Sequence, residues 1–188
     1  MIAFQFSDSL REDARDVALV LSRAGYAIEV LSGDSAASVA LMSSAASITN
    51  WRADQRPDQK ISRLEALKAE GHKVLMVGDG LNDAPALASA HASLSPASAC
   101  DISQTAADAI FQGERLQPIV ELLAVAKAAR ALSLQNFGLA VAYNVVFVPL
   151  AMAGLVTPLI AALAMSASSI SVTANAIRLK SKTLELKA

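Results

Sequence analysis

Two aspartates stand in the stretch of this sequence that is richest in possible chemistry, residues 77–87, which reads VGDGLNDAPAL. Asp79 and Asp83 lie four positions apart, and two carboxylates held close together repel one another unless a cation lies between them. Mg²⁺ suits such a pair because it prefers oxygen ligands and usually completes its shell with phosphate and water. Gly78 and Gly80 on either side of Asp79 allow the backbone to approach a ligand closely. The stretch therefore predicts a site for Mg²⁺ and phosphate.

Three further features could serve the same chemistry. Asn82 adds a neutral side chain that can donate and accept hydrogen bonds. Ser32-Gly33-Asp34 offers a hydroxyl and backbone N–H groups, although alone it fits an ordinary turn equally well. Lys60 could place its ammonium on a phosphoryl group, although a lysine on a helix surface is the commoner case. Together, a hydroxyl, a lysine and an acidic pair are the equipment of phosphoryl transfer.

The pattern around these residues predicts strands that alternate with helices. Helical spacing and end signals favour one helix opened by Asp8 or Ser9 and ended by Gly25, and others over 35–45, from Pro57 to Gly71, and over 83–90. Short apolar runs favour strands at 2–6, 27–31, 48–51, 74–77, 92–94 and 109–111. Such alternation predicts an α/β fold with a mostly parallel sheet. Ligands of these sheets bind beyond the carboxyl ends of the strands, where segments 32–34 and 78–80 both lie.

The last third of the chain has a different composition, since residues 131–177 contain no Asp, Glu, Lys or Arg. The whole chain is 54% hydrophobic and only 18% charged, whereas ordinary soluble proteins are roughly 25% charged. A membrane span needs about 20 apolar residues. We therefore expect two spans, at about 132–152 and 156–177, joined by Ala153-Gly154-Leu155 and a turn at Thr157-Pro158. The alternative is a buried helical hairpin in a soluble protein.

Basic residues flank both predicted spans, while the short connection between them is uncharged. Lys127 and Arg130 precede the first span, and Arg178, Lys180 and Lys182 follow the second. Because Lys and Arg are enriched on the cytoplasmic side of a membrane, both chain ends should face the cytoplasm.

Composition also excludes some functions. The net charge of −1 offers no basic patch for nucleic acid. The single cysteine, Cys100, excludes an internal disulfide and a CxxC metal site.

Several motifs together resemble the P-type ATPases that transport heavy metals. GDGLNDAPAL (78–87) resembles that family's hinge signature almost letter for letter, and SGD (32–34) looks like its TGD with serine in place of threonine. RPDQK (56–60) looks like the family's P-x-x-K lysine motif, and DSLRED (8–13) is similar to its D-x-L-R segment. The resemblance covers nearly the whole chain.

The resemblance implies an α/β, Rossmannoid haloacid-dehalogenase-like domain, with a parallel sheet and flanking helices, over residues 1–130. It implies a transmembrane helical hairpin over 131–178 and a cytoplasmic tail over 179–188, in a bacterial plasma membrane with membrane lipid around the hairpin. In such a pump ATP donates a phosphoryl group to an aspartate. Mg²⁺ would then bind Asp79 and Asp83, Gly78 and Gly80 would line the cofactor site, and the catalytic set would be Ser32, Gly33, Asp34, Lys60, Asp79, Asn82 and Asp83.

The same resemblance shows a gap. The family's nucleophile is the aspartate of a D-K-T-G-T motif, which does not occur in this sequence. The nucleotide-binding domain, the actuator domain and the earlier membrane helices are missing as well. We therefore expect a C-terminal fragment that is inactive alone and whose partner is the remainder of the pump.

Two other functions can be set against this interpretation. A stand-alone phosphatase with a membrane tail fails because the chain has no D-x-D or D-K-T nucleophile. A truncated, non-catalytic membrane protein that regulates or pairs with a full-length pump stays open.

Polar residues and a methionine inside the predicted spans bear on the cargo. Such polar residues usually face a pathway or a neighbouring helix, and a thioether is a soft ligand suited to Cu(I). The alternative is that Tyr, Asn and Ser only bond between helices and that Met only fills space.

The resemblance favours a role of these residues in binding the transported metal. Tyr143-Asn144, separated from Pro149 by four residues, and MSASS (165–169) are similar to the pattern of Cu(I)-exporting members. This similarity implies that the transported Cu(I) binds Tyr143, Asn144, Met165 and Ser169. Zinc- and cadmium-type members instead carry a Lys and an Asp-x-Gly in these helices. The Cys-Pro-Cys that supplies the main copper ligands lies outside this chain.

Overall fold

A computed structural model of the chain describes the backbone of residues 10–185 and the side chains of residues 10–179. The predicted strand at 2–6 and the predicted helix caps Asp8 and Ser9 lie outside the described residues. By its internal contacts the chain divides into two compact units, one ending at Val120 and the other beginning at Glu121.

The first unit alternates short parallel strands with helices, as the sequence pattern predicts. Its strands are β1 (Glu29–Leu31), β2 (Asn50–Arg52), β3 (Leu75–Val77), β4 (Ala92–Pro96) and β5 (Ala109–Phe111). Its helices are α1 (Ala14–Arg23), α2 (Ala36–Ala45), α3 (Pro57–Ala69), α4 (Ala84–Ser89) and α5 (Asp101–Ala106), with a 3₁₀ turn at Leu81–Asp83 before α4.

The strands pair in two groups, and every described pairing is parallel. β1 pairs with β2, with Val30 opposite Trp51. β4 lies between β3 and β5, with Met76 opposite Ser93 and Ser95 opposite Ile110. The predicted α/β class with a parallel sheet is therefore confirmed. Strands joined in parallel place their carboxyl ends at one edge, where ligands of such folds bind.

Local signals account for the helix that matters most to the site, α3. Pro57 occupies its first position, where the missing N–H costs nothing. The backbone N–H of Arg56 just before it donates to Oε1 of Gln59 at 2.9 Å. Gly71 follows the helix with φ of +86°, a left-handed conformation that glycine adopts without strain. These end signals place Lys60 in the first turns of α3.

The predicted start of the first helix was wrong, and one helix of this unit was missed. The first helix begins at Ala14, because residues 10–13 include a turn in which Asp13 serves another helix. Oδ2 of Asp13 accepts the backbone N–H groups of Leu116 and Gln117, at 2.7 and 2.8 Å, where the next long helix starts. Helix α5 was not predicted, because its sequence DISQTA has one large apolar residue and so no helical period.

The last helices are long and apolar. Helix α6 (Gln117–Met152) begins before the boundary between the units, and α7 (Pro158–Glu185) follows it. By length and composition, both Gln117–Met152 and Pro158–Leu179 could cross a membrane. The two predicted apolar helices are thus present.

The connection between α6 and α7 has well-defined end signals. Gly154 has φ of +72°, the Gly154 N–H donates to the Ala151 carbonyl at 3.0 Å, and the Leu155 N–H donates to the Leu150 carbonyl at 3.0 Å. This pair of bonds is the Schellman ending that glycine favours after a helix. The second helix begins at Pro158 and not at 156, because the Thr157 side chain accepts the Ile160 N–H at 3.3 Å and so precedes the helix as its cap.

Candidate functional site

Residues 78–83, here called the acidic loop, leave the carboxyl end of β3 and return into α4. The Gly78 N–H donates to the Leu94 carbonyl at 3.2 Å, which extends the pairing of β3 with β4 by one bond. A Cβ atom on Gly78 would lie 2.8 Å from the Cβ of Asp83. Only glycine therefore leaves room for the Asp83 side chain at this point.

The acidic loop is joined to α3 by an ion pair. Nζ of Lys60 lies 2.6 Å from Oδ1 of Asp83, and the two side chains are 8% and 17% exposed. A lysine is almost never buried unless it is paired, so Lys60 is not an ordinary surface lysine. The structure thus brings together two of the predicted site residues, which lie on separate elements 23 positions apart.

Two other polar residues of the acidic loop that the sequence predicts in the site are open to solvent. Asp79 and Asn82 are exposed. Among the described residues, no hydrogen bond or ion pair engages the Asp79 carboxylate or Oδ2 of Asp83. These oxygens are the donor type that Mg²⁺ prefers, so the residues fit a magnesium ion. The described residues contain no cluster of three or more His, Cys, Asp or Glu side chains that could hold a metal, so phosphate and water would complete its shell.

The SGD segment at the end of β1 forms a compact unit of its own. Oγ of Ser32 donates to Oδ2 of Asp34 at 2.7 Å, and the Asp34 N–H donates back to Oγ of Ser32 at 3.2 Å. The backbone of this segment bonds to the loop after β2, where the N–H groups of Asp54 and Gln55 donate to the carbonyls of Asp34 and Ser32. A Cβ on Gly33 would meet the Gln55 carbonyl at 3.4 Å. In the described chain, no hydrogen bond joins this segment directly to the acidic loop.

Helix α3 connects the two groups of strands through a second ion cluster that sequence reasoning missed. The guanidinium of Arg63 on α3 binds both carboxylate oxygens of Glu29 on β1, at 2.9 to 3.1 Å. Nε of Arg52 on β2 binds the same carboxylate at 2.8 Å. Because Lys60 and Arg63 are three residues apart on one helix, α3 holds Asp83 beside β3 and Glu29 on β1.

The environment of Glu29 also changes its acidity. Burial raises the pKa of Glu29, but the hydrogen bonds and charges of Arg63 and Arg52 outweigh it, so the pKa lies below its ordinary value of 4.5. The hydrogen bond to Glu29 in turn raises the pKa of Arg63. No sequence signal marks this cluster, because its members lie 23 and 34 positions from Glu29.

The four residues predicted to bind the cargo make separate contacts in the described part of the hairpin. The Tyr143 ring stacks on Phe147 with centroids 4.7 Å apart. Nδ2 of Asn144 donates to the Ala140 carbonyl of its own helix at 3.0 Å. Met165 is 70% exposed, and within the described part of the hairpin no hydrogen bond joins any of these side chains to Ser169.

A different polar contact joins α6 to α7. Nδ2 of Asn175 donates to Oδ1 of Asn136 at 2.8 Å, and Oδ1 of Asn175 accepts from Arg178 at 3.2 Å. Asn136 therefore bonds between helices, which is one of the two roles that the sequence leaves open for polar residues in the predicted spans.

The chain is similar to several known proteins. A model of haloacid dehalogenase-like hydrolases matches residues 2–91. The nitrogen fixation protein FixI of Bradyrhizobium diazoefficiens is 49% identical over 94% of this chain, which covers 24% of that protein. A copper-exporting P-type ATPase of Mycobacterium tuberculosis is 36% identical over 93% of this chain, which covers 23% of that protein. The chain thus spans about a quarter of the length of these relatives.

A solved structure agrees with the sequence relatives. The crystal structure of a zinc-transporting PIB-type ATPase matches 92% of this chain, and 28% of its own, with a TM-score of 0.87 and 30% identity. Because 92% of the chain is matched, and neither unit alone makes up that share, the match includes both the α/β elements and the long helices. The chain is therefore homologous over most of its length to the heavy-metal P-type ATPases, an enzyme family, and it carries a haloacid dehalogenase-like domain followed by two candidate membrane helices.

Proposed function

We propose that this chain is part of an ATP-driven pump that exports Cu(I) through an aspartyl-phosphate intermediate, and that it supplies the side chains around the phosphoryl group. The observation that carries the proposal is the nearly buried ion pair of Lys60 with Asp83, at 2.6 Å, at the carboxyl end of a parallel strand. A buried pair beside a second, free carboxylate gives a site of mixed charge. Such a site suits a phosphoryl group and its magnesium ion.

The roles of the acidic loop follow from its free oxygens. Asp79 and Oδ2 of Asp83 would hold Mg²⁺, which when bound neutralises charge on phosphoryl oxygens. Lys60 keeps Oδ1 of Asp83 engaged and so directs the other oxygen of that carboxylate outward. Its ammonium also adds a fixed positive charge near the position of the phosphoryl group. Asn82, exposed beside Asp83, can donate a hydrogen bond there.

The SGD segment would bind the phosphoryl group from the other group of strands. The Ser32 hydroxyl has one proton, which it now directs to Asp34. A phosphoryl oxygen nearby would compete for that proton, and the Gly33 backbone can approach the ligand because it carries no side chain. Asp34 would then keep Ser32 oriented through its own N–H, which donates to Oγ.

The proposed site has no nucleophile among these residues. The sequence contains no D-K-T-G-T motif, so the aspartate that accepts the phosphoryl group of ATP would come from another part of the pump. The nucleotide-binding domain that presents ATP would come from there as well. We expect the chain alone to be inactive.

The proposal that Cu(I) is the cargo rests on ligand chemistry. Met165 offers a soft thioether, and Tyr143, Asn144 and Ser169 are polar residues within helices long enough to span a membrane. A relative named as a copper exporter shares 36% identity with the chain, whereas the solved relative is named as a zinc transporter. The thioether favours copper over zinc, because zinc sites in proteins use Cys, His and carboxylate ligands.

The proposed topology follows from charge. Lys127 and Arg130 before the apolar block and Arg178 after it favour the cytoplasmic side. Both ends of the hairpin would then lie in the cytoplasm, where the acidic loop has access to ATP.

The decisive experiment is ATP hydrolysis by the full-length pump with added metal ions. We expect Cu⁺ to stimulate hydrolysis, and Asp83→Asn to abolish the stimulation because one ligand oxygen and the partner of Lys60 are lost. Asp16→Asn is a matched control, since Asp16 is exposed on α1. Stimulation by Zn²⁺ and not by Cu⁺ would refute the cargo, and full activity of Asp83→Asn would refute the site.

A second experiment tests the missing nucleophile. Incubated with [γ-³²P]ATP, the chain alone should acquire no acid-stable label, while the full-length pump should acquire it. Labelling of the chain alone would show that a nucleophile lies within it.

A further inference from the structure

Ser103 on α5 belongs to none of the motifs, yet it contacts the acidic loop. It is fully buried, and its Oγ donates to the carbonyl oxygen of Gly80 at 2.6 Å. The same carbonyl accepts the backbone N–H of Asp83 at 2.9 Å. The Gly80 carbonyl, which lies between Asp79 and Asp83 in the chain, therefore accepts two hydrogen bonds.

The direction of the Ser103 hydrogen bond follows from its neighbours. Sγ of Cys100 lies 3.2 Å from Oγ of Ser103, and either atom could donate by distance alone. A carbonyl can only accept, and a serine hydroxyl has a single proton. The proton of Ser103 must therefore go to Gly80, and the Cys100 thiol donates to Ser103. Removing the thiol would leave the bond to Gly80 in place.

The loop needs such a tether because of its own composition. Glycine at positions 78 and 80 leaves the backbone on both sides of Asp79 with more conformational freedom than any other residue would. The Lys60 ion pair holds only the far end of the loop, at Asp83. Ser103 holds the middle, from a helix that packs against both α4 and the 3₁₀ turn.

We propose that Ser103 is a positioning residue for the acidic loop, which sets the separation of the Asp79 and Asp83 carboxylates so that both can bind one divalent cation. This inference rests on the proposed function of the loop as a magnesium site. Ser103 itself is buried, so it would act through the loop backbone and not as a ligand of the ion. Without its hydroxyl, the loop samples conformations in which Asp79 lies too far from Asp83.

The test compares two buried serines in the full 188-residue chain, held in lipid nanodiscs. Ser103→Ala removes the tether, whereas Ser95→Ala removes an equally buried hydroxyl on β4 that has no hydrogen-bond partner among the described residues. Mn²⁺ serves as a paramagnetic substitute for Mg²⁺, and its Kd is measured by electron paramagnetic resonance. Hydrogen–deuterium exchange of the peptide that covers residues 78–83 is measured without metal.

We expect Ser103→Ala to raise the Kd for Mn²⁺ about fivefold, the loss of one ordinary hydrogen bond, and to speed exchange in the acidic loop. Ser95→Ala should change neither quantity, and both variants should keep the same Tm within a few degrees. Equal Kd and equal exchange in Ser103→Ala and wild type would overturn the inference. If the wild-type chain binds no Mn²⁺ but Ser103→Ala still speeds exchange, Ser103 does position the loop and the proposed magnesium site is wrong.

Discussion

The acidic loop and the apolar hairpin both present polar side chains that the sequence marks as ligands, but they support these side chains differently. In the acidic loop, Asp83 is held by Lys60 and the Gly80 carbonyl by Ser103, each from a separate helix. In the hairpin, Asn144 bonds only to the Ala140 carbonyl of its own helix, and Met165 is exposed. The chain itself therefore preorganises the proposed phosphate site, whereas we expect the proposed cargo site to need further helices.

The physical reason lies in the backbone. The acidic loop follows a strand, so its side chains must find partners on neighbouring elements. A helix satisfies its own backbone, and a short polar side chain on it can bond to the carbonyl four residues earlier. Ser166 and Ser171 do so, at 2.9 and 2.8 Å. Polar residues on a helix can therefore satisfy their hydrogen bonds within that helix and need not contact each other unless a ligand or another helix brings them together.

The largest effect should come from breaking the ion pair of the acidic loop. Lys60→Met leaves the Asp83 carboxylate partly buried without its cation, and we expect the free energy of unfolding of the first unit to fall by about 2 to 3 kcal/mol. Chemical denaturation measures it. The exposed Lys73→Met serves as control, and the double variant Lys60→Met/Asp83→Asn should regain part of the loss. Equal stability of Lys60→Met and wild type would show that the ion pair does not hold the acidic loop, and the loop would then be no better supported than the hairpin.

The glycines of the acidic loop offer a finer test in one pair of variants. Gly78→Ala would place a Cβ 2.8 Å from the Cβ of Asp83, so we expect a loss of about 1 to 3 kcal/mol from overpacking. Gly80→Ala would place its Cβ 3.6 Å from Oδ2 of Asp83, an ordinary contact, and Gly80 has a negative φ of −91°. Thermal unfolding should therefore separate the two variants. If both unfold at the same temperature, the close approach of Asp83 is not real.

A smaller effect should appear in the pH dependence of stability. The pKa of Glu29 is lower in the folded chain than its ordinary value of 4.5, so the folded state holds this proton less tightly than the unfolded state does. The stabilisation is therefore complete above about pH 4.5 and is lost as pH falls through the lower folded value. Because Arg52 is half exposed, we expect less than about 1 kcal/mol.

The matching experiment is denaturation between pH 3 and pH 7 for wild type and Glu29→Gln. The variant should be less stable than wild type at pH 7 and should lose less stability on acidification. Glu65→Gln, an exposed substitution on α3, is the control. Parallel curves for wild type and Glu29→Gln would show that the Arg63 pair does not hold α3 to β1.

The smallest effect on stability should come from the hairpin. Met165→Ala removes a side chain that is 70% exposed, so we expect unfolding of the chain in nanodiscs to change by less than about 0.5 kcal/mol. In the full-length pump the same substitution should abolish stimulation by Cu⁺, because the soft ligand is lost. A large loss of stability in the chain alone would mean that Met165 packs against a partner, and that the hairpin is as preorganised as the loop.

Much of the fold was predictable from local patterns. Strand β5 coincides with its predicted run at 109–111, and β3 differs from its prediction by one residue. Short, uniformly apolar runs bounded by polar residues are typical of strands that are covered on both faces. Helix α5 escaped prediction because Ile102 is its only large apolar residue and is itself 57% exposed. Asp13 was expected in the first helix but caps α6, because a carboxylate satisfies free N–H groups wherever the fold brings them.

The sequence by itself determined which residues could do chemistry. The Gly-Asp-Gly run, the serine after β1 and the lysine after Pro57 each depend on residue type and short spacing, and so does the charge-free block of the two long helices. Only the tertiary structure decided which of them meet. It paired Lys60 with Asp83, Ser103 with the Gly80 carbonyl and Arg63 with Glu29. These partners lie 23 to 34 positions apart in the chain. Such contacts arise from the packing of separate elements, so no periodic pattern in the sequence reveals them.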